Sequence, residues 1–388
     1  MKYSNEEIIQ YVNEEDVKFI RLAFCDIYGH QKNISIMPSE LPRAFEQGIP
    51  FDASAITGFE CAKPGELFLV PEPDTLIPLP WRPEHGRVVQ MFSRIKYSDG
   101  RPFECDTREI LSRAVEYAKE KGYEFNIGTK QEFYLFRLDD EGRPTDIPCD
   151  CAGFMDIAPE DKGENVRREI CLTLEEMGIS PESSHHEEGP GQNEIDFRYS
   201  RPLVAADNAE TFQRVVKTIA NRNGFFADFS PKPIADKAGN GFHINISVTT
   251  DRNDDPFKAM IAGILKNIKD ITVFLNPVEG SYKRHGHHKA PKAIVCVDGK
   301  YTELLRVPAF AADTHRVELR SADPMANPYL AFALIIYAAL DGITNNLTPS
   351  DNYGSLPDSL EEAKSIAVNS EFLKEHLPYE ILSFYTKS

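Results

Sequence analysis

The stretch at residues 242–247 is FHINIS, in which apolar and polar side chains alternate strictly. Successive side chains of a β-strand point to opposite faces. The stretch is therefore predicted to be a strand with His243, Asn245 and Ser247 on one face and three apolar side chains on the other.

Three further stretches alternate in the same way: KQEFYL at 130–135, QNEIDF at 192–197 and RVELR at 316–320. Their polar faces carry Lys130, Glu132, Tyr134, Gln192, Glu194, Asp196, Arg316, Glu318 and Arg320. A single polar face of this kind is expected in any antiparallel sheet that packs one side on a hydrophobic core and exposes the other side to solvent. Taken together, the Glu residues and His243 favour a hard divalent cation, Mg²⁺ or Mn²⁺, and the Arg residues favour a carboxylate or phosphate beside it. The sequence leaves open whether the four strands share a sheet.

Helical periodicity predicts the other elements. Apolar stripes predict helices near residues 39–47, 106–122, 165–177, 207–223, 256–275 and 328–345. Residues before 103 are mainly strand-like, so the pattern indicates an α+β fold. Neither G-x-G-x-x-G after a strand nor G-x-x-x-x-G-K-[ST] occurs, which argues against a Rossmann or P-loop nucleotide site.

Composition limits the partners. The 388 residues include 43 Lys and Arg against 61 Asp and Glu, for a net charge of −18, which disfavours nucleic acid and anionic membranes. No apolar run approaches the roughly 18 residues of a membrane span, and the acidic N-terminus is unlike a signal peptide. The seven Cys are an odd number without a C-x-x-C pair, so neither a disulfide framework nor a zinc knuckle is indicated. We expect a soluble protein in a reducing cytoplasm.

Two histidine-rich stretches surround the predicted strands. HHEE at 185–188 precedes a Gly-Pro-Gly turn. These residues are either solvent-exposed surface residues or ligands of a shared site. The second interpretation is plausible because the turn would bring Glu187 back toward Glu194. HGHHK at 285–289 lies in a Gly-containing segment and is predicted to be a solvated, mobile loop.

In order along nearly the whole chain, these segments resemble motifs of type I glutamine synthetases. The matching segments are FDASAI at 51–56 (family FDGSSI), EFYLF at 132–136 (the end of PEPEFFLF), HHEEGPGQNEIDF at 185–197 (HHEVAPGQHEIDF), PKP at 231–233 with GNGFH at 239–243 (KPxxGxNGSGMH), SYKR at 281–284 (SYKR), and RVELR at 316–320 with DPMANPYL at 323–330 (RVEVR…DPAANPYL).

The resemblance implies an N-terminal β-grasp domain, residues 1–103, and a catalytic domain, residues 104–388, built on a curved antiparallel sheet with flanking helices. It also implies a ring of six subunits with active sites between neighbours. In this family, ATP phosphorylates the glutamate side chain, ammonia displaces the phosphate, and two divalent metals neutralise the phosphates.

Residue roles follow from the same motifs. Glu132, Glu187 and Glu194 would hold the first metal, and His243 and Glu318 the second. Arg284 and Arg320 would bind substrate carboxylates, and Gly239 the substrate amino group. The remaining roles fall on Arg306 and Arg316 (phosphate), Ser247 (nucleotide) and Asp52 (the neighbouring subunit's ammonium site).

The chain departs from the family at catalysis. Lys130 stands where the family has a Glu that binds the second metal. One metal site is therefore expected rather than two, and Lys130 is expected to pair with Glu318. Lys289 aligns with the Glu that takes a proton from ammonium in the family. A protonated Lys cannot accept that proton. Tyr301 replaces a phosphate-binding Arg, and Asp313 a nucleotide-side Lys.

Three hypotheses remain open at this point. The first is a divergent ATP-dependent ligase that joins glutamate or a related acid to an amine other than ammonia. The second is a one-metal enzyme acting on a glutamate-like compound, for example by amide hydrolysis. The third is a non-catalytic, metabolite-binding ring protein. The family's longer C-terminal region is not matched beyond residues 324–329, so a hexamer with weak or no pairing into a dodecamer is expected.

Overall fold

The computed structural model describes residues 3–63, 65–82, 86–252, 255–298, 302–308, 316–350 and 353–387. The chain divides into two compact units. One comprises Met1–Ile110 with Leu172–Ile179, and the other Leu111–Cys171 with Ser180–Ser388. The predicted boundary between residues 103 and 104 remains a prediction.

The N-terminal unit is built on a six-stranded mixed sheet. Its helices are α1 (Asn5–Glu14) and α2 (Leu41–Glu46), and its strands are β1 (Val17–Cys25), β2 (Gln31–Ile36), β3 (Ile49–Asp52), β4 (Glu66–Pro71), β5 (Ile77–Pro78) and β6 (Arg87–Lys96). The strand order is β2-β1-β6-β4-β3, with β5 also on β6. Only β1 and β6 run parallel among these pairs. The arrangement agrees with the predicted β-grasp domain.

The C-terminal unit is built on a nine-stranded sheet. Its strands are β7 (Tyr123–Leu138), β8 (Pro144–Pro148), β9 (Pro181–His186), β10 (Gln192–Phe197), β11 (Phe225–Asp228), β12 (Phe242–Thr250), β13 (Cys296–Asp298), β14 (Leu305–Val307) and β15 (Arg316–Leu319). Their order is β13-β14-β15-β12-β7-β10-β9, and β8 and β11 also pair with β7. All described pairs are antiparallel except β13–β14.

The remaining helices are α3 (Thr107–Glu120), α4 (Glu164–Glu176), α5 (Pro202–Arg222), α6 (Phe257–Leu275), α7 (Glu279–Tyr282), α8 (Pro328–Thr344), α9 (Leu360–Asn369), α10 (Glu371–His376) and α11 (Tyr379–Thr386). The predicted α+β fold is confirmed. Helix α8 is buried along nearly its whole length because its sequence is apolar on every face. Within the described ranges, no helix is both long and apolar enough to cross a membrane.

Strand register answers the question that the sequence left open. The four alternating stretches lie on β15, β12, β7 and β10, which are consecutive neighbours in one sheet. Lys130 on β7 stands between His243 of β12 and Asp196 of β10, and Glu132 stands opposite Glu194. Directly opposite residues of an antiparallel pair share a face. The polar side chains therefore meet on one face of the sheet.

Candidate active site

The polar face opens into a cleft of about 490 Å³ in the C-terminal unit. The strands supply Lys130, Glu132, Glu194, Asp196, His243 and Glu318 to its lining, and the loops supply Glu187, Gly239, Arg284, Lys289 and Arg320. Ten polar side chains and Gly239 thus converge on one cavity, so the polar faces of the four strands contribute to a shared cleft.

Acidic side chains form a compact cluster at the base of this cleft. Ligand atoms of Glu132, Glu194 and His243 all lie within 4.8 Å of one another, as do those of His185, Glu187 and Glu194. His243 Nε2 is 3.6 Å from Glu132 Oε1, and His243 Nδ1 is 3.7 Å from Glu194 Oε2. The turn after residue 188 therefore brings Glu187 back toward Glu194, as the second interpretation of HHEE required.

The cluster carries more negative charge than its surroundings neutralise. Burial, with the nearby charges of Glu187 and Glu194, raises the pKa of Glu132 to about 8. Burial and the charge of Glu194 likewise raise the pKa of Glu187 to about 7. His185 Nε2 lies 3.2 Å from Glu194 Oε1, and this hydrogen bond raises the pKa of His185 to about 9.

These residues fit a divalent cation. Three buried carboxylates and an imidazole are hard or borderline ligands of the kind that Mg²⁺ and Mn²⁺ take. Burial and the neighbouring carboxylates raise the pKa values of Glu132 and Glu187 despite nearby cationic groups, and a bound cation would favour their ionised forms. Glu132 is also held in place, because its Oε2 accepts hydrogen bonds from Gly241 N at 2.8 Å and Gln192 Nε2 at 3.2 Å.

Lys130 has a different partner from the one predicted. Its Nζ lies 2.7 Å from Asp196 Oδ2 and 3.9 Å from Glu194 Oε1. The expected ion pair with Glu318 is not formed, because register places Asp196 directly opposite Lys130 whereas Glu318 lies beyond β12. Asp196 carried no predicted role, although its place on the face of Glu194 was visible in the alternation.

Glu318 is already occupied by two guanidinium groups. Its Oε1 is 2.6 Å from Arg320 Nη1, and its Oε2 is 2.5 Å from Arg306 Nη2. Since Lys130 adds a third positive charge nearby, the residues expected at a second metal do not fit a second cation. The predicted metal role of Glu318 stays a prediction that this arrangement disfavours.

The predicted substrate-binding residues are fixed through the backbone. Arg284 is buried, and its guanidinium donates to Ser321 O at 2.7 Å and Arg320 O at 3.0 Å. A Cβ atom on Gly239 would lie 2.4 Å from Pro231 O, so only glycine fits there.

Four other predicted residues lie away from the cleft lining. Arg316 stands over the Tyr199 ring at 5.5 Å, and Ser247 is its register partner on β12. Arg306 reaches the site through its ion pair with Glu318. Asp52 belongs to the N-terminal unit, where its Oδ1 accepts from Ser54 N at 2.9 Å. Tyr301 and Asp313 lie outside the described residues.

The loop at residues 285–289 agrees only in part with the predicted solvated segment, since Gly286, His287 and His288 are exposed. His285 is buried, and Lys289 Nζ lies 2.7 Å from Glu188 Oε1 and 4.2 Å from the centroid of the Phe154 ring. Phe154 and its neighbour Met155 line the same cleft. The contact between Lys289 and Phe154 was not predicted, because a distant aromatic residue leaves no local sequence signal.

A buried polar network lies behind the acidic strands. His186 Nε2 is 3.0 Å from Asp150 Oδ1, and His186 Nδ1 is 2.7 Å from the carbonyl oxygen of Glu187. Arg167 pairs with Asp161 at 2.5 Å and donates to Asn193 Oδ1 at 2.6 Å. These bonds fix the backbone that carries Glu187 and Glu194.

Comparisons with known proteins identify the family of this chain. The family model of the glutamine synthetase catalytic domain matches residues 104–388, and that of the glutamine synthetase beta-Grasp domain matches residues 16–98. The glutamine synthetase of Clostridium saccharobutylicum is 42% identical over 414 residues, covering 99% of this chain and 94% of its own length. That of Methanosarcina mazei is 40% identical over 412 residues, covering 98% and 92%.

Solved structures extend the match to three dimensions. A complex of GmaS with ADP matches at a TM-score of 0.87 with 27% identity, covering 97% of this chain and 94% of that one. A ligand-free GmaS structure matches at 0.86 with 27% identity, covering 97% and 93%. The predicted resemblance is confirmed: the chain belongs to the glutamine synthetase family.

Proposed function

We propose that this protein is an ATP-dependent ligase that joins the side-chain carboxylate of glutamate, or of a related acid, to an amine other than ammonia. The observation that carries the proposal is the position of Lys289, whose ammonium group lies at the cleft between Glu188 and Phe154. The family resemblance places a catalytic Glu at this position.

The charge of Lys289 opposes the cationic form of any amine, so apolar contact is what would favour an organic amine over ammonia. An ammonium ion entering the cleft meets Lys289, and like charges repel. No general base is available from that position, since a protonated Lys cannot accept a proton. An organic amine would gain contact between its apolar part and the Phe154 and Met155 side chains that line the cleft.

The retained residues support acid activation. Arg284 and Arg320 present cationic groups suited to a substrate carboxylate. The cluster of Glu132, Glu187 and Glu194 would hold one Mg²⁺ or Mn²⁺, which when bound neutralises phosphate charge. Lys130, whose ion pair with Asp196 fixes its position, would supply the net single positive charge that a divalent second metal and its Glu ligand give together in the family. The structurally similar GmaS forms a complex with ADP, which supports ATP as co-substrate.

Assembly follows the same reasoning. Glutamine synthetases are typically oligomeric. We propose a homo-oligomeric ring of six subunits, in which Asp52 of each subunit completes the site of its neighbour and attracts the cationic form of the amine.

ADP release tests the proposed reaction. Purified protein is assayed with ATP, Mg²⁺ and glutamate against ammonium, methylamine, ethylamine and longer amines. We expect an organic amine to exceed ammonium by at least about tenfold, the change that 1.4 kcal/mol of transition-state energy produces. Lys289→Glu should raise turnover with ammonium, whereas the matched control Lys289→Gln, which supplies no base, should raise it less.

Two outcomes contradict the proposal. Ammonium turnover near the enzyme median of about 10 per second, unsurpassed by any amine, would identify an ordinary glutamine synthetase. If calorimetry finds glutamate binding but no ATP or ADP binding with or without Mg²⁺, the protein is not an ATP-dependent ligase.

A further inference from the structure

Two cysteines that are distant in sequence meet in the N-terminal unit. The sulfur atoms of Cys61 and Cys105 are 3.2 Å apart, although the residues are separated by 44 positions. A disulfide has an S–S distance of about 2.05 Å, so bond formation needs a combined movement of only about 1.1 Å. The contact arises from the fold, because the two cysteines do not form a C-x-x-C motif in the sequence.

Aromatic packing holds the two segments together in the thiol form. Phe59 and Phe103 each precede one of the cysteines by two residues, and their rings meet edge to face with centroids 4.9 Å apart. Both rings are completely buried. The approach of the sulfurs is therefore supported by a neighbouring core contact rather than by two loose chain segments.

Of the two cysteines, Cys105 lies in the more constrained segment of the chain. It is completely buried, and the residues around it are fixed by hydrogen bonds from Phe103 N to Ile95 O and from Asp106 N to Phe103 O. Cys61 lies in a loop of successive turns between β3 and β4 and is partly exposed. A small disulfide from solution can therefore reach Cys61 first, and Cys105 is placed to resolve the product.

We propose that Cys61 and Cys105 form a reversible redox site, in which a low-molecular-weight disulfide such as oxidised glutathione is the oxidant. The Cys61 thiolate attacks one glutathione sulfur, which forms a mixed disulfide and releases one glutathione thiolate. The Cys105 thiolate then attacks Cys61 Sγ and releases the second glutathione. The two protein thiols lose two protons and two electrons, and one glutathione disulfide becomes two glutathione thiols.

The bridge would act on the loop that follows Asp52. Ala53 N donates to Gly65 O at 2.8 Å and closes this loop, and Cys61 lies within it. A bond to Cys105 would fix the loop at a second point, and a cross-link across 44 positions restricts the unfolded chain. Oxidation is thus expected to slow opening of the loop and to raise the temperature of unfolding.

Mass spectrometry of the full-length protein in glutathione buffers tests the site. As the buffer becomes oxidising, the protein should lose the mass of two hydrogen atoms, and digestion without reductant should yield one peptide pair joined through Cys61 and Cys105. Reduced glutathione should reverse the change. Hydrogen exchange of residues 53–63 should slow in the oxidised form, with a thermal midpoint several degrees higher.

Variants separate this bond from other thiol chemistry. Cys105→Ser should retain a single glutathione at Cys61, and Cys61→Ser should show no intramolecular bond. Cys151→Ser, which removes an exposed thiol elsewhere, should behave like the native protein. A stable glutathione adduct on native Cys61, or loss of two hydrogens in the Cys61→Ser variant, would overturn the proposal. If a serine variant does not fold, differential alkylation of the native protein locates the bonded thiols directly. None of these readouts depends on ligase activity.

Discussion

At the scale of single residues, Lys130 determines the electrostatics of the cleft. Its ammonium group is fixed by Asp196 at 2.7 Å and lies 3.9 Å from Glu194. Although burial disfavours its charge, Glu194 and Asp196 raise the pKa of Lys130, so it stays protonated. In the proposed site, this fixed positive charge takes the place of a second metal, but it cannot bridge phosphate oxygens as a metal does.

Metal stoichiometry tests this replacement. We expect calorimetry to find one Mn²⁺ per subunit in the native protein, because Glu318 is held by Arg306 and Arg320. Lys130→Glu should bind a second ion, since it restores a carboxylate beside His243 and Asp196. The control Lys130→Gln removes the charge without adding an ionised ligand and should keep one ion. Two ions per native subunit would show that the lysine does not replace a metal.

A buried carboxyl in the N-terminal unit gives a pH-dependent prediction. Burial raises the pKa of Asp106 to about 6 from 3.8. Between these values the folded protein holds a proton that the unfolded chain has lost, so stability falls as pH rises from about 4 to 6. Asp106→Asn should remove this dependence, and its stability relative to native protein should improve by about 2 kcal/mol between pH 4.5 and 7.

Thermal unfolding at the two pH values measures the difference. Asp99→Asn is the matched control, because Asp99 is exposed and the hydrogen bond from Arg101 lowers its pKa, so it does not titrate in this range. If the thermal midpoint of the Asp106→Asn variant changes with pH as much as that of the native protein, Asp106 is not the group responsible for the pH dependence.

At the scale of elements, periodicity located the long helices well. Helices α3, α4, α6 and α8 begin and end within about three residues of their predicted limits, because each buries one continuous apolar stripe or is apolar throughout. Helix α5 begins at Pro202, five residues before the predicted start, since proline is favoured in the first helical turn. Helices α1, α9, α10 and α11 were not predicted, because short helices contain few turns of pattern.

Strand pairing was beyond the reach of local sequence. Alternation predicted which side chains share a face but not which strands are neighbours, so Lys130 was assigned the wrong partner. Strand β10 shows a second limit. All six of its residues are buried, because the face that alternation alone assigns to solvent lies inside the cleft. Motif resemblance, rather than local pattern, supplied the roles of Arg284 and Gly239.

The crossing of α6 and α8 gives a prediction about packing. A Cβ atom on Gly263 would lie 2.1 Å from Ala338 O, and one on Gly342 would lie 2.0 Å from Ala259 O. Because the opposing atoms are backbone, they cannot move aside without separating the helices. Gly263→Ala and Gly342→Ala should each destabilise the protein by about 1–3 kcal/mol, despite the higher helix propensity of alanine.

Gly280→Ala is the matched control for this crossing. Gly280 lies in α7, and an added Cβ would meet only Pro231 Cδ at 3.8 Å, an ordinary contact. Denaturant unfolding should show this variant to be as stable as the native protein. Equal stability of all three variants would mean that the two helices have room to separate.

At the scale of the whole molecule, the site residues divide between the two units of the chain. The acidic cluster, Lys130 and the two Arg residues that are predicted to bind substrate belong to the C-terminal unit, whereas Asp52 belongs to the N-terminal unit. Asp52 is exposed, and the hydrogen bonds from Ser54 lower its pKa, so it remains ionised. An exposed, ionised carboxylate with a proposed catalytic role requires a partner surface, which the proposed ring supplies.

Mixing of inactive subunits tests whether the sites are shared. Asp52→Asn removes the charge while its side-chain oxygen can still accept from Ser54, and Glu187→Gln weakens the metal cluster. Each variant alone should be nearly inactive with the best amine. If Asp52 completes the site of a neighbour, equal mixtures that exchange subunits should regain about a quarter of native activity, because half the sites keep Glu187 and half of those face an intact Asp52. A mixture of Glu187→Gln with Glu132→Gln should regain nothing, since both residues belong to the same subunit's cluster. Native mass spectrometry of differently tagged subunits verifies exchange. Exchanged mixtures that stay inactive would show that each chain uses its own Asp52, and an active Asp52→Asn variant would show that Asp52 is not needed.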